Sequence, residues 1–121
     1  MTAVITSSQE IGSVMKEGSC VATPFFTLFY KESPATAQGV NQSVNSAAAP
    51  CRVAYIAGKK NGNAVWRNKA KRKLRAAWQL KGRDPQGMDI LLVAKKAATE
   101  VSAIRIAEEI DTVLSQQGLL Q

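Results

Sequence analysis

At 121 residues, with 45% hydrophobic and 21% charged side chains, the chain has the size and composition of one globular domain with a single core, not of a disordered tail. Its 16 Lys and Arg against 9 Asp and Glu give a net charge of +7 and a pI near 9.7, which points to a polyanionic partner. No run of 18 apolar residues is present, and the opening MTAVITSSQE lacks the basic-then-apolar order of a secretory signal. Two cysteines and no histidine make neither a disulfide scaffold nor a zinc site, so a cytoplasmic protein with no membrane attachment is expected.

Residues 1–6 read as a flexible N-terminus. In SSQE, Ser7 at the N-cap and Glu10 three residues later form a capping box, and Gly18 suits the position after a helix end, which predicts a helix over 8–17. Ile11, Val14 and Met15 share one face of it. FFTLFYK and CRVAYIAG are rich in aromatic and β-branched residues and predict two strands, with Cys20 and Cys51 as buried or half-buried thiols in neighbouring strands. Between them, residues 33–50 carry Pro, Gly, Asn, Ser and Ala with few large apolar groups, the composition of a long flexible loop.

Next comes KKNGNAVWRNKAKRKLRAAW, residues 59–78: eight Lys or Arg, no acid, and an Asn-Gly-Asn turn signal ahead of a helix. Gly82 and DPQG break that helix, and MDILLVAKK is an apolar run of strand length. Ser102 can cap a last helix in which Ile106, Ala107, Ile110, Val113 and Leu114 repeat at helical spacing, ending near Gly118. The predicted order is αββαβα in a single domain, residues 1–121, without internal repeats.

The segment from RVAYIAG to DILLVA is a βαβ unit whose second strand is apolar throughout, as a parallel strand covered on both faces should be. Its helix has an apolar seam of Trp66, Ala70, Leu74, Ala77 and Trp78. Arg67, Lys71 and Arg75 form a row along one side of that seam, with Lys69 and Arg72 further round. Lys59, Lys60, Lys73, Lys81 and Arg83 extend the run to 10 of the 16 basic residues. A solvated helix face usually mixes charge signs to gain attraction between neighbouring turns, and this one contains no acid. A nucleic-acid face fits better, with Arg forks and Lys charges for phosphate and a second anion site where Lys59, Lys60 and the amides of Gly62, Asn63 and Ala64 meet the positive helix end.

Residue by residue, the stretch resembles the protein subunit of bacterial ribonuclease P. The matching pattern is Lys59-Lys60, Gly62-Asn63-Ala64-Val65, Arg67-Asn68-Lys69, Lys71-Arg72 and Arg75. EIGSVMKEGS, PFFTLFY and DILLVAKKAATEVS agree with the family's first helix, first strand and last strand, so the likeness spans roughly residues 8–118. Two departures concern Lys69, in place of a second Arg, and Lys73, where an apolar residue is usual. Ile11 and Met15 stand where the family commonly has Phe, leaving Phe29 as the aromatic best placed to stack a base.

The resemblance implies an α/β (α+β) two-layer sandwich with a mixed sheet and a left-handed βαβ crossover, contrary to the general right-handed rule. It implies a protein that binds the catalytic RNA of ribonuclease P and the 5′ leader of precursor tRNA, and assists Mg²⁺-dependent endonucleolytic removal of that leader. The RNA performs the hydrolysis and requires the Mg²⁺; the chain has no catalytic residues, binds no cofactor of its own and needs no obligate protein partner. Lys59, Lys60, Asn63, Arg67, Asn68, Lys69, Arg72 and Arg75 would face the RNA subunit. Ile11, Met15, Phe29 and Ile56 would line a leader groove edged by Arg67, Asn68 and Lys71.

Other readings are a ribosomal or RNA-packaging protein, with the basic helix but no groove, and a helix-turn-helix DNA binder. The second is disfavoured because strands flank the basic helix. A nuclease acting alone would need Glu108, Glu109 and Asp111 as metal ligands, and these lie far in sequence from the cations.

Overall fold

The computed structural model describes residues 2–5, 8–32, 51–58, 60, 62–82, 85 and 87–119. Ser7, Lys59, Arg83 and the 33–50 loop lie outside the described residues. A five-stranded mixed sheet is built from β1 (Thr2–Val4), β2 (Ser19–Ala22), β3 (Phe26–Glu32), β4 (Cys51–Ile56) and β5 (Met88–Ala94), in the spatial order β1-β4-β5-β3-β2. The helices are α1 (Ser8–Glu17), α2 (Ala64–Leu80) and α3 (Ala103–Gln116), with a 3₁₀ turn at Lys96–Thr99 before the last.

The six predicted elements are present in order, and the sheet gains two short strands that their sequence does not announce. β1 is three residues long and pairs in parallel with β4, Thr2 opposite Cys51 and Val4 opposite Val53. β2 is the antiparallel partner of β3, Cys20 opposite Phe29, and SCVA has no bulky residue to mark it. The thiols are therefore not in neighbouring strands: Cys20 is exposed on edge strand β2, and Cys51 is buried in β4, with β5 and β3 between them.

β5 lies between parallel β4 (Val53 opposite Ile90) and antiparallel β3 (Leu28 opposite Leu92), and Ile90, Leu91 and Leu92 are all fully buried. Because side chains alternate along a strand, the two faces acquire separate cores. Phe26, Leu28, Val53, Ile90 and Leu92 pack with Leu74 and Trp78 of α2 and Ile106, Ile110 and Leu114 of α3. On the other face, Ala54 and Leu91 pack with Ile5 and with Val14 of α1, and Ile11, Phe29 and Ile56 lie half-buried around them.

Close approach explains Gly18. A Cβ there would sit 2.5 Å from the carbonyl oxygens of both Val14 and Tyr30, so its missing side chain, not a left-handed conformation, lets α1 turn into β2. Gly118 does adopt the left-handed conformation, at φ 72°. Its N–H donates to Ser115 O (3.1 Å) and that of Leu119 to Leu114 O (2.9 Å), which closes α3 in a Schellman motif.

Polar clamps hold α1 to its face. Arg52 donates to Asp89 through Nε (2.8 Å) and Nη2 (2.6 Å), and through Nη1 to Glu10 of α1 (3.0 Å). The hydrogen bonds to Asp89 hold the guanidinium pKa above its ordinary value, against the opposing effect of burial. Nearby, Lys31 Nζ donates to Ser13 Oγ (2.6 Å) and Glu17 Oε1 (2.7 Å).

Candidate nucleic-acid interface

The basic helix starts where its sequence predicts. Asn63 is the N-cap, its Oδ1 accepting the Trp66 backbone N–H at 3.0 Å, so one function of this residue is to start the helix. Each further residue turns the chain by about 100° around the helix axis, which divides the cations among different directions. Ala70, Leu74, Ala77 and Trp78 are buried against the sheet and α3. Arg67 is half-buried on one flank of this seam, and Lys71 and Arg75 continue its row in the open; Asn68, Lys69 and Arg72 are exposed too.

Two members of the charge run turn inward instead. Lys81 is only 6% exposed, with its ammonium 3.9 Å from the centre of a Trp78 ring. Lys73 Nζ donates to the carbonyl oxygens of Val101 (2.7 Å) and Thr99 (3.4 Å), while Trp66 Nε1 donates to Thr99 Oγ1 (3.1 Å). The partners of Lys73 are backbone carbonyls remote in sequence and that of Lys81 is an aromatic ring, so charge counting alone cannot separate these lysines from the rest.

The free row of α2 meets the α1 face around the short edge of the sheet. β1 accompanies β4 only as far as Val53, where the Ile5 N–H donates to Val53 O at 2.9 Å. Past that point a groove of about 260 Å³ opens, lined by Ile5, Ile11, Ala54, Tyr55, Lys71, Arg72 and Arg75. The Arg75 guanidinium stands 6.0 Å from the centre of the Tyr55 ring. Apolar platforms thus meet cations from a different element within one depression.

Of the leader residues expected from sequence, Ile11 and Lys71 line this groove. Phe29 and Ile56 pack on the same apolar cluster without lining it, Met15 is exposed and outside the cluster, and Arg67 and Asn68 lie on α2 beyond the lining. Arg72 and Arg75, expected to face only the RNA subunit, belong to the groove; Lys60, Asn63 and Lys69 are exposed outside it. Ile5 and Tyr55 were not anticipated: Ile5 follows a strand with no sequence signal, and the alternation of β4 sends Tyr55 toward α2.

Among the described residues, no carboxylate pairs with a cation of α2. The ion pairs are Lys31 with Glu17, Arg52 with Glu10 and Asp89, and Arg105 with Glu109. The acids of α3 are dispersed: Glu109 binds Arg105, Asp111 accepts the Gly82 N–H at 3.1 Å, and Glu108 is exposed. The basic helix connects parallel β4 to β5, and among the described residues no α-helix precedes it across a short turn, so the arrangement is not that of a helix-turn-helix.

The family model described as Ribonuclease P matches residues 2–118. The chain belongs to the ribonuclease P protein family. It is 40% identical over 76 residues to the ribonuclease P protein component of Symbiobacterium thermophilum, spanning 62% of this chain and 66% of that protein. With the component of Natranaerobius thermophilus it shares 29% identity over 124 residues, covering 100% of this chain and 96% of the relative. Among solved structures, the Staphylococcus aureus RNase P protein superposes with a TM-score of 0.70 at 23% identity, covering 98% of this chain and 97% of that one. The Thermotoga maritima RNase P protein gives 0.70 at 21%, covering 93% and 94%. At that identity the structures establish the shared fold. Ribonuclease P proteins work with an RNA subunit in a ribonucleoprotein endoribonuclease of tRNA processing, and none of the described helices here is long and apolar enough to cross a membrane.

Proposed function

We propose that this chain is the protein subunit of a cytoplasmic ribonuclease P, holding the catalytic RNA with the exposed cations of α2 and the single-stranded 5′ leader of precursor tRNA in the groove. The groove carries this reading, because it sets the apolar side chains of Ile5, Ile11 and Ala54 beside Lys71, Arg72 and Arg75. Single-stranded RNA needs that combination: surfaces for its bases and cations for its phosphates. Arg offers a forked donor pair to a phosphate and Lys a compact charge, and neither must first release an acid among the described residues.

The chemistry belongs to the RNA in this scheme. Among the described residues the carboxylates do not fit a catalytic metal: Glu10 and Asp89 are engaged by Arg52, Glu17 by Lys31 and Glu109 by Arg105, and no trio of ligand-type residues converges. The protein binds, orients and neutralises charge, while Mg²⁺ is held by RNA and serves hydrolysis there.

Reconstitution with the ribonuclease P RNA of the same bacterium at low Mg²⁺ tests this directly. The protein should promote 5′ leader removal and tighten precursor over mature tRNA, an advantage that shrinks as the leader is cut to a few nucleotides. Tyr55→Ala, which removes the aromatic side chain of the groove lining, checked for folding by thermal denaturation, should reduce that advantage by roughly the 1–3 kcal/mol of one stacked base. Equal affinity for precursor and mature tRNA would overturn the leader assignment.

A further inference from the structure

Residues 66 and 73 of α2 are two turns apart and share one face, since seven steps of about 100° return close to the starting direction. Both hold the same short segment. Trp66 Nε1 reaches Thr99 Oγ1 at 3.1 Å, and Lys73 Nζ reaches Val101 O at 2.7 Å and Thr99 O at 3.4 Å. That segment is the end of the 3₁₀ turn and the approach to Ser102, whose side chain caps α3 by accepting the Arg105 N–H. An ammonium beside the carbonyls that finish a helical turn is favourably placed.

The direction of Lys73 matters. It lies about 200° around the axis from both Lys71 and Arg75, so it points away from the row that lines the groove, and it would have to abandon both carbonyls to meet a phosphate. The apolar seam alone is a poor rotational lock, because packing between Ala70, Leu74 and Ala77 and their neighbours is not directional, whereas hydrogen bonds weaken quickly when misaligned. A rotation of about 20° moves a group some 6 Å from the axis by about 2 Å, more than the tolerance of a hydrogen bond of roughly 2.7–3.2 Å.

We infer that Lys73 and Trp66 are positioning residues: they grip the turn before α3, not RNA, and so set the rotation of α2 that aims Lys71, Arg72 and Arg75 at the groove. The inference rests on the proposed reading of α2 as an RNA-binding helix. It also accounts for a lysine at a position where the family resemblance leads one to expect an apolar side chain.

The test uses the full chain and the ribonuclease P RNA of the same bacterium, with affinity measured across a salt series for Lys71→Ala, Lys73→Met, Lys73→Arg and Trp66→Phe. Lys71→Ala should flatten the slope of log K against log salt by roughly 0.7–0.9, the mark of one lost phosphate contact. Lys73→Met and Trp66→Phe should each weaken binding about 2- to 30-fold, the range for residues that act on a site without touching the ligand, and keep the wild-type slope. Lys73→Arg should restore affinity, because a guanidinium can bridge the same carbonyls. Trp66→Phe changes no charge, so its effect cannot come from lost attraction.

A slope flattened by Lys73→Met as much as by Lys71→Ala would make Lys73 a direct RNA contact and overturn the inference. So would wild-type affinity in both Lys73→Met and Trp66→Phe. Should Lys73→Met not fold, Trp66→Phe decides by the same criterion. If Lys71→Ala also leaves affinity and slope unchanged, the RNA-binding reading of α2 itself fails.

Discussion

Leu28, Val53, Ile90 and Leu92 point from the sheet toward α2 and α3 and are wholly buried, whereas Phe29 and Ile56, on the reverse of the same strands, meet the α1 face and stay half-buried. Among the described residues, the first face has two helices of 17 and 14 residues over it and the second has one helix of 10. A single short helix cannot cover a five-stranded sheet, and the shortfall is not evenly spread. Arg52 and Lys31, both opposite Asp89 in the register, tie α1 to the polar end, and the groove opens beside Ala54, beyond the last residues of β1. One face stores stability and the other trades some of it for an open surface.

The largest effect should come from the closed face. Leu74→Ala, at a fully buried site, is expected to cost about 2–5 kcal/mol by denaturant titration. A loss below about 1 kcal/mol would mean that this core is not the principal store of stability.

Next is the clamp. Asp89→Ala removes both acceptors of the Arg52 Nε and Nη2 bonds while Glu10 remains, and should cost about 1.5–3 kcal/mol, typical of hydrogen bonds to charged groups. If α1 depends on this tie, hydrogen exchange of α1 amides should rise more than that of α3; equal protection in both helices would contradict it.

Smaller again is the effect of the groove cations on folding. Arg75→Ala should change stability by no more than about 0.5 kcal/mol, since the residue is exposed and lacks an acidic partner among the described residues. Its RNA binding should nonetheless weaken. A variant that unfolds more readily and binds normally would reverse the roles assigned to the two faces.

The smallest is a pH effect at Glu17. Its pKa is lowered from 4.5, first by the hydrogen bond from Lys31 and then by that residue's charge. A depressed carboxylate pKa stabilises the fold above the unfolded value and loses that contribution as pH falls through the folded one. Glu17→Gln should therefore melt slightly below wild type at neutral pH, and the gap in melting temperature should close as pH falls below 4.5 and through the lowered pKa. A gap that does not narrow as the carboxyl is protonated would assign it to something other than this ion pair.

The contrast between the faces also marks what could be read from the chain. Helices α2 and α3 carry side-chain N-caps, all three helices carry 3.6-residue periodicity, and β5 carries an unbroken apolar run, so local physics specifies them. β1 exists only because β4 offers it an edge, and β2 because Gly18 lets the chain fold back on Tyr30; three or four small residues have no signal of their own. Within the site, the Lys71 row followed from periodicity and Ile11 from the family resemblance. Tyr55 and Ile5 needed the topology, and Lys73 needed its partners, two carbonyls 26 and 28 residues away.

The strand order bears on how the chain reaches its native state. Only β2 and β3 are joined by a tight local connection; β1 must find β4, and β3 must find β5, with Phe26 settling opposite Ala94. Such distant pairings require large loops to close before any contact rewards them, which slows folding relative to helical proteins of similar size. A helix such as α2 needs no distant pairing and exchanges with coil in about 0.1–1 μs, so it can be sampled before the sheet is complete. A polyanion could therefore engage that helix before the sheet is complete. Adding RNA during refolding by dilution from denaturant should accelerate the recovery of tryptophan fluorescence from buried Trp78 if binding and folding are coupled in that order.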